Sequence, residues 1–483
     1  MAFEFERKQR IAILGGGPGG YEAALAAAQL GAEVTLIERS GVGGSAVLTD
    51  VVPSKTLIAT AEFTSTLGRS DELGVQFSVK GDDNKPRKPE ITINMATVNK
   101  RLLGLAHDTS EDMQKALKKA GVKFSPGHGR LDGDHAVIAS TGPGGTDFER
   151  IEADTIIVSV GASPRVLDTA KPDGERILTW TQLYDMKSVP SHLIVVGSGV
   201  TGAEFASAYM NLGAKVTLVS SRDQVLPGED QDAAAVLERV FQRGGMTLLS
   251  KARADSVVNT GDGVLVTLAD GRTIEGSHCL MAVGSIPNTA GIGLEQAGVQ
   301  MTPSGHIRVN RVARTSVPNI YAAGDCTNFF PLASVASMQG RQAVFHALGD
   351  VVIPLETRRI TANIFTAPEI ATVGFSEQDV IDGKIAGVVK KLPLSANPRA
   401  KMQGITDGFV KIIARQGSGT VMGGVIVGPR ASELIYPIAI AVERRLTVDQ
   451  VARVFAVYPS LTSSITDAAR AMHIVDRDDP GED

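Results

Sequence analysis

A strand, a glycine-rich turn, a helix and a second strand occur twice in this sequence, and this repeat constrains the fold most. In the first copy, the apolar run 11–14 leads into a turn that carries Gly15, Gly17 and Gly20. The first glycine makes the tight turn, the second admits a pyrophosphate, and the third lets helix and strand pack closely. Glu38 is the last residue of the second strand, where a carboxylate can accept hydrogen bonds from ribose hydroxyls. The alternative is a glycine turn in a plain βαβ unit, which explains neither the flanking strands nor the acid.

The second copy lies between the apolar runs 193–196 and 215–219. Its second strand ends in serines and an arginine instead of an acid, so no carboxylate repels a 2'-phosphate and a guanidinium is close enough to bind one. We therefore expect NADPH to be accepted, with NADH beside it, unless the arginine is only a solvated strand-end residue. The residues expected to bind this nucleotide are Gly197, Gly199, Gly202, Ser220, Ser221 and Arg222.

Composition limits the remaining possibilities. The 483 residues are 43% hydrophobic, which is enough for three or four domains with cores of their own. A net charge of -5 gives no global field that would favour nucleic acid. No apolar run reaches the roughly 18 to 20 residues of a membrane span, and no signal-like segment opens the chain. We expect a cytoplasmic protein with no metal site, whose two cysteines, Cys279 and Cys326, are small buried hydrophobes.

Residues 43–55 read GGSAVLTDVVPSK. This segment resembles the form GG[TS]CLNxGCxPSK of the flavoprotein disulfide reductases, the group of lipoamide dehydrogenase, glutathione reductase and mercuric reductase. The resemblance extends over nearly the whole chain. Ala46 and Val51 stand where the two redox cysteines of that family would be, and neither can carry electrons as a thiolate. Disulfide exchange by this route is therefore excluded.

A second departure lies near the carboxyl end, where the family shows HPTxSE. Here Tyr458 replaces the histidine and Ser463 replaces the glutamate. The resemblance implies a homodimer or a higher homo-oligomer, in which this segment reaches the flavin of the partner. Tyr458 would then bind a quinone oxygen or donate a proton there. The alternative is an aromatic side chain that fills the vacated thiol pocket.

The resemblance also implies an FAD site. Lys55 and Glu204 correspond to a family pair near flavin N5 that can assist hydride acceptance. The alternatives are a surface lysine and a first-turn helix acid favoured by the helix dipole. Asp325 corresponds to the ribityl ligand and Ala333 to a position against the flavin ring. The full set expected to bind FAD or close its domains is Gly15, Gly17, Gly20, Glu38, Gly44, Ser45, Lys55, Gly129, Gly161, Gly284, Asp325 and Ala333.

We therefore predict an α/β fold with two Rossmann-like domains and a carboxyl-terminal α+β dimerisation domain. The predicted segments are 1–165 and 288–355 for FAD, 166–287 for NAD(P), 356–475 for the interface, and a disordered tail at 476–483. A polar stretch at about 70–90 is expected to be an exposed loop in the FAD domain.

The predicted activity is an FAD-dependent NAD(P)H dehydrogenase that reduces a small acceptor such as a quinone directly from the flavin. Three alternatives remain open: a soluble nicotinamide transhydrogenase, an FAD-binding redox sensor, and a disulfide reductase that uses some other thiol.

Overall fold

The structure is a computed structural model that describes residues 8–76, 78–80, 86–87, 91–142 and 145–473. The tail predicted at 476–483 lies outside the described residues, as does most of 81–90. Within the predicted loop, residues Ser70–Leu73 form a 3-10 helix, and Val79–Lys80 pairs with Pro86–Arg87.

The amino-terminal part of the chain forms the first nucleotide-binding unit and its attachments. Its elements are β1 (Arg10–Leu14), α1 (Pro18–Gln29), β2 (Glu33–Glu38), α2 (Gly44–Leu48), α3 (Val51–Gly68), β3 (Val79–Lys80), β4 (Pro86–Arg87), α4 (Met95–Lys119), β5 (Lys123–Pro126), β6 (His128–Leu131), β7 (Ala136–Thr141), β8 (Asp147–Glu152), β9 (Thr155–Val158) and β10 (Ala162–Pro164).

The second unit follows, with a 3-10 helix at Trp180–Asp185. Its elements are β11 (Ile177–Leu178), β12 (His192–Val196), α5 (Val200–Asn211), β13 (Lys215–Val219), α6 (Gln231–Arg243), β14 (Thr247–Leu249), β15 (Ala254–Asn259), β16 (Val264–Leu268), β17 (Thr273–Gly276), β18 (His278–Met281) and β19 (Ser285–Pro287).

The last part returns to the first sheet and then forms the carboxyl-terminal domain, with 3-10 helices at Thr357–Arg359 and Leu394–Ala396. Its elements are β20 (Ile320–Ala322), α7 (Ala333–Ala347), β21 (Thr361–Ile364), β22 (Glu369–Gly374), α8 (Glu377–Ile381), β23 (Gly387–Pro393), α9 (Pro398–Met402), β24 (Phe409–Arg415), β25 (Val421–Gly428), α10 (Ala431–Leu434), α11 (Tyr436–Glu443), α12 (Val448–Ala452) and α13 (Ser463–Arg470).

Two parallel five-stranded sheets repeat one plan. The first has the strand order β20-β9-β1-β2-β5, and the second has β11-β18-β12-β13-β14. Residues 11–14 of β1 are all buried, as expected for a strand covered on both faces. Each such Ile or Leu contributes roughly 1.5–3 kcal/mol of burial free energy. An antiparallel sheet accompanies each unit, β6-β7-β8 in the first and β15-β16-β17 in the second.

The carboxyl-terminal domain is an antiparallel sheet in the order β21-β22-β25-β24-β23, with helices packed against it. The predicted fold class is therefore confirmed: two Rossmann-like units plus an α+β domain. β20 pairs with β9, so a late segment completes the first sheet. The exact domain boundaries remain predictions.

Two glycines set how helices α1 and α7 approach each other. A Cβ at Gly340 would lie 2.0 Å from the carbonyl oxygen of Gly19, so only glycine permits this contact. Because the helices pack this closely, their amino termini reach the same region, beside the carboxyl ends of β1 and β9.

Candidate functional site

One large cavity, of about 1850 Å³, extends between the two nucleotide-binding units and the carboxyl-terminal domain. Most of the sequence-predicted residues line it. These are Gly15, Gly17, Glu38, Gly44, Ser45, Lys55, Gly129, Gly161, Glu204, Arg222, Gly284, Asp325 and Ala333. The predicted residues that do not line it are Gly20, Gly197, Gly199, Gly202, Ser220, Ser221 and Tyr458.

The first glycine turn has the geometry that its sequence predicts. Gly15 has φ +95°, and a Cβ there would lie 2.3 Å from the carbonyl oxygen of Ser159. A Cβ at Gly20 would lie 1.9 Å from the Gly15 carbonyl oxygen, so this residue serves packing and not the cavity wall. At Gly17 a Cβ would meet open space, which leaves room for a ligand against the backbone.

The amino termini of α1, α2 and α7 meet this end of the cavity. Gly44 has φ +56°, and a Cβ on it would lie 2.9 Å from the Cα atom of Gly17. The Gly43 N–H donates to the Gly16 carbonyl oxygen at 2.7 Å. Free backbone N–H groups and helix dipoles at such termini favour an anion such as a pyrophosphate.

Glu38 is 8% exposed and held by the backbone. Its Oε2 accepts from the Gly16 N–H at 2.7 Å, and its Oε1 accepts from the Ser40 N–H at 2.6 Å. Oε1 also accepts a hydrogen bond from the Gly41 N–H at 3.4 Å. Oε2 keeps a second lone pair, so the group can still accept a hydrogen bond from a ribose hydroxyl.

Lys55 and Glu204 are brought together from α3 and α5. Lys55 Nζ lies 2.7 Å from Glu204 Oε2, and the Glu204 side chain is 5% exposed. The other oxygen, Oε1, accepts from the Phe365 N–H at 2.8 Å. Lys55 Nζ also lies 5.1 Å from the centroid of the Phe365 ring. The ammonium therefore has two partners, the Glu204 carboxylate and the Phe365 ring, and both Lys55 and Glu204 line the cavity.

The second glycine turn repeats the geometry of the first. Gly197 has φ +113°, and a Cβ there would lie 2.1 Å from the Ala282 carbonyl oxygen. A Cβ at Gly202 would lie 1.8 Å from the Gly197 carbonyl oxygen, whereas one at Gly199 would meet open space. The next residues, Val200 and Thr201, form part of the cavity wall.

Ser220, which directly follows β13, is buried and does not line the cavity. It is 2% exposed, and its hydroxyl lies 2.7 Å from the Ser198 hydroxyl and accepts a hydrogen bond from the Arg222 N–H at 3.1 Å. Its side chain therefore holds the turn after the strand, and its contact with a coenzyme stays a prediction. Arg222 is exposed and lines the cavity, while Ser221 is exposed outside it.

Three residues in the cavity wall escaped the sequence analysis as site residues. Asp50 stands where the family segment has glycine, and this departure was the available signal. Asn363 has both side-chain amide atoms buried without a hydrogen-bond partner, and it precedes Phe365 by two residues. No sequence periodicity indicates that Asn363 and Phe365 lie in the cavity wall, because their position depends on how β21 packs against α5.

Both cysteines are fully buried and reduced, and neither lines the cavity. Burial raises the pKa of Cys326 to about 11, and burial likewise raises the pKa of Cys279. Both thiols are therefore protonated and poorly nucleophilic near neutral pH.

Tyr458 lies away from the cavity of its own chain and is 76% exposed. It belongs to an exposed segment with Val454, Phe455 and Val457. Ser463 begins α13, and its hydroxyl donates to the Ser460 carbonyl oxygen at 2.8 Å. The structure therefore does not bring Tyr458 to Lys55 or Glu204 within one chain.

The fold and the site together define a two-nucleotide oxidoreductase. The chain belongs to the pyridine nucleotide-disulphide oxidoreductase family, whose model matches residues 9–340, and the dimerisation domain of that family matches residues 360–469. Members use FAD and NAD(P)H, and the two open glycine turns fit such a pair. The protein is therefore a flavoprotein oxidoreductase, as its sequence predicted.

Comparisons with individual proteins show which members of the family this chain resembles. The chain is 52% identical over 472 residues to NAD(P)H dehydrogenase (quinone) of Mycobacterium tuberculosis, which covers 96% of this chain and 94% of that protein. It is 32% identical to dihydrolipoyl dehydrogenase of Geobacillus stearothermophilus over 96% of each. The crystal structure of LpdA from Mycobacterium tuberculosis superimposes with a TM-score of 0.90 at 49% identity, covering 96% of this chain and 100% of that one.

No helix among the described residues is long and apolar enough to cross a membrane.

Proposed function

We propose that this protein is an NAD(P)H dehydrogenase that reduces quinones without a redox disulfide. One observation carries the proposal: a single cavity is lined by the first glycine turn, by Lys55 and Glu204, and by Val200 and Thr201 at the start of α5, and neither cysteine of the chain lines it. A relative of 52% identity is named NAD(P)H dehydrogenase (quinone), which supports a quinone as the acceptor.

When bound, FAD would accept a hydride from NAD(P)H and pass the electrons to the acceptor. Lys55 serves this step by keeping a positive charge where negative charge develops. Glu204 positions that ammonium through the 2.7 Å contact, and the Phe365 N–H fixes the carboxylate in turn. Because Glu204 is almost fully buried, water does not compete with this arrangement.

Arg222 would bind the coenzyme. Its exposed guanidinium belongs to the residues that line the cavity and can form paired hydrogen bonds with a 2'-phosphate. It would therefore recognise the adenosine end of NADPH.

The flavin side uses backbone groups and two carboxyls. The turn at Gly17 and the helix beginning at Gly44 would hold the pyrophosphate, and Glu38 would accept from the ribose. Asp325 would accept from the ribityl chain, and the amino terminus of α7 at Ala333 would face the ring.

We propose that the working form is a homodimer in which Tyr458 approaches the cavity of the partner. Phe455 is fully exposed in the single chain and Tyr458 is 76% exposed, which is costly for aromatic side chains that nothing covers. Phe455→Glu should convert the dimer to a monomer in light scattering and lower quinone reduction. Phe148→Glu is the matched control, since Phe148 is a 70% exposed phenylalanine on β8.

The decisive experiment compares acceptors with the purified yellow protein. Oxidation of NADPH and NADH is followed with benzoquinones, naphthoquinones and lipoamide. We expect brisk turnover with quinones and background turnover with lipoamide. A double variant, Cys279→Ala with Cys326→Ala, contains no sulfur nucleophile and should keep its quinone activity. Loss of that activity in a folded, flavin-loaded double variant would refute the disulfide-free route.

The same preparation separates the other activities. Hydride exchange between NADPH and an NAD analogue that exceeds quinone reduction would identify a transhydrogenase. Negligible turnover with every acceptor, despite bound FAD, would favour a redox sensor.

A further inference from the structure

Asp50 is a carboxyl group placed where the family segment carries no side chain. It lies between Ala46 and Val51, the two positions that lack the redox cysteines. It occupies the N-cap position of α3, yet its side chain accepts no capping hydrogen bond from the helix. Aspartate at an N-cap usually accepts from the second or third helical N–H. Its carboxyl instead forms part of the cavity wall.

Charged and titratable groups from four elements surround this carboxyl. Lys55 comes from α3, Glu204 from α5, Asp325 from the turn after β20, and Tyr184 from the 3-10 helix 180–185. Burial raises the pKa of Asp50 to about 6, the Lys55 ammonium opposes the rise, and the charges of Glu204 and Asp325 add to it. Burial also raises the pKa of Asp325.

Tyr184 does not compete for the role of an acid near neutral pH. Burial raises its pKa above that of a free phenol, and the charge of Asp50 adds to the rise. Lys55 already donates to Glu204 at 2.7 Å. Asp50, whose pKa is raised to about 6, can therefore gain and lose a proton between pH 5 and 7 in this part of the cavity wall.

Such a group can assist quinone reduction. A hydride from NADPH carries two electrons and one proton, whereas a hydroquinone contains two electrons and two protons more than its quinone. The second proton comes either from solvent or from an acid beside the acceptor. A positioned acid that supplies a proton accelerates such a step typically 10²–10⁴-fold.

We propose that Asp50 is the proton donor to the quinone oxygen, a role that rests on the quinone reductase function proposed above. The O–H bond of the carboxyl breaks as the hydroquinone O–H bond forms, and the carboxylate then takes a proton from water. The overall reaction is NADPH plus quinone plus H⁺ giving NADP⁺ plus hydroquinone. The carboxyl is thus adjacent in sequence to Val51, one of the two positions that lack a redox cysteine, and serves an acceptor that requires protons.

The test compares two acceptors with Asp50→Asn. Ferricyanide takes electrons without a proton, whereas a benzoquinone takes both. We expect Asp50→Asn at pH 6 to lower kcat/KM for the quinone at least tenfold more than it lowers kcat/KM for ferricyanide. Asp50→Glu should restore part of the quinone activity. Asp262→Asn, on the exposed turn between β15 and β16, is the matched control and should change neither activity.

The proposal predicts the direction in which quinone reduction changes with pH. Because the protonated form of Asp50 is the donor, wild-type kcat/KM for the quinone should fall as pH rises through the pKa of Asp50. The Asp50→Asn variant should not show this decrease. A second measurement needs no turnover. The absorbance of the oxidised, FAD-loaded protein should shift with pH between about 5 and 7 in the wild type and not in Asp50→Asn.

Three results would overturn the assignment. Equal losses with both acceptors would mean that Asp50 only shapes the site, and an unchanged quinone rate would mean that another acid acts. An absorbance titration that persists in Asp50→Asn would place the titrating group elsewhere. A wild type that reduces ferricyanide but no quinone would instead refute the proposed function, so the two failures are distinguishable.

Discussion

Replacing Glu204 with glutamine tests the central pair of the site. The variant keeps the shape of the side chain, and its amide oxygen can still accept from the Phe365 N–H, 2.8 Å away in the wild type. It removes the charge that holds Lys55 Nζ at 2.7 Å. A hydrogen bond between charged groups contributes roughly 1.5–3 kcal/mol. If that contribution is lost from the transition state, reduction of the flavin slows about 10- to 150-fold, since each 1.36 kcal/mol is tenfold.

The assay is anaerobic stopped-flow mixing with NADPH, followed by the loss of flavin absorbance. Glu33→Gln is the matched control, because Glu33 pairs with Lys123 at the same 2.7 Å but both side chains are about half or more exposed. An exposed pair contributes little, so the control should change the rate less than twofold. A Glu204→Gln rate within threefold of wild type, with normal flavin content, would refute the positioning role.

Three further predictions concern the coenzyme, the flavin and stability. Arg222→Ala should raise KM for NADPH about 10- to 100-fold and leave KM for NADH unchanged, as steady-state kinetics would show. Gly44→Ala should release FAD on purification, because its Cβ would lie 2.9 Å from Gly17 Cα; Gly31→Ala, also at positive φ but with open space around it, should retain FAD. Lys411→Met should cost about 3–5 kcal/mol of unfolding free energy in urea titrations, because it removes the buried cation 2.8 Å from the carboxylate of Asp230, whose side chain is only 4% exposed. A shift below 1 kcal/mol would contradict this last prediction.

The sequence alone determined the larger plan. A glycine turn between an apolar strand and a helix has one common use, and its repetition after about 180 residues fixed two nucleotide units. These patterns are local, so they can be recognised in the sequence without a structure. The absence of cysteine at positions 46 and 51 can be recognised in the same way, because no arrangement of the fold can supply a missing sulfur atom.

Only the tertiary structure determined which of these residues lie together in the wall of the cavity. Lys55 and Glu204 are 149 positions apart, and their contact depends on how α3 packs against α5. The burial of Ser220 depends on the contacts of its hydroxyl with Ser198 and with the Arg222 N–H, which only the folded turn brings together. The free carboxyl of Asp50 depends on burial, which is a property of the surrounding fold and not of the residue.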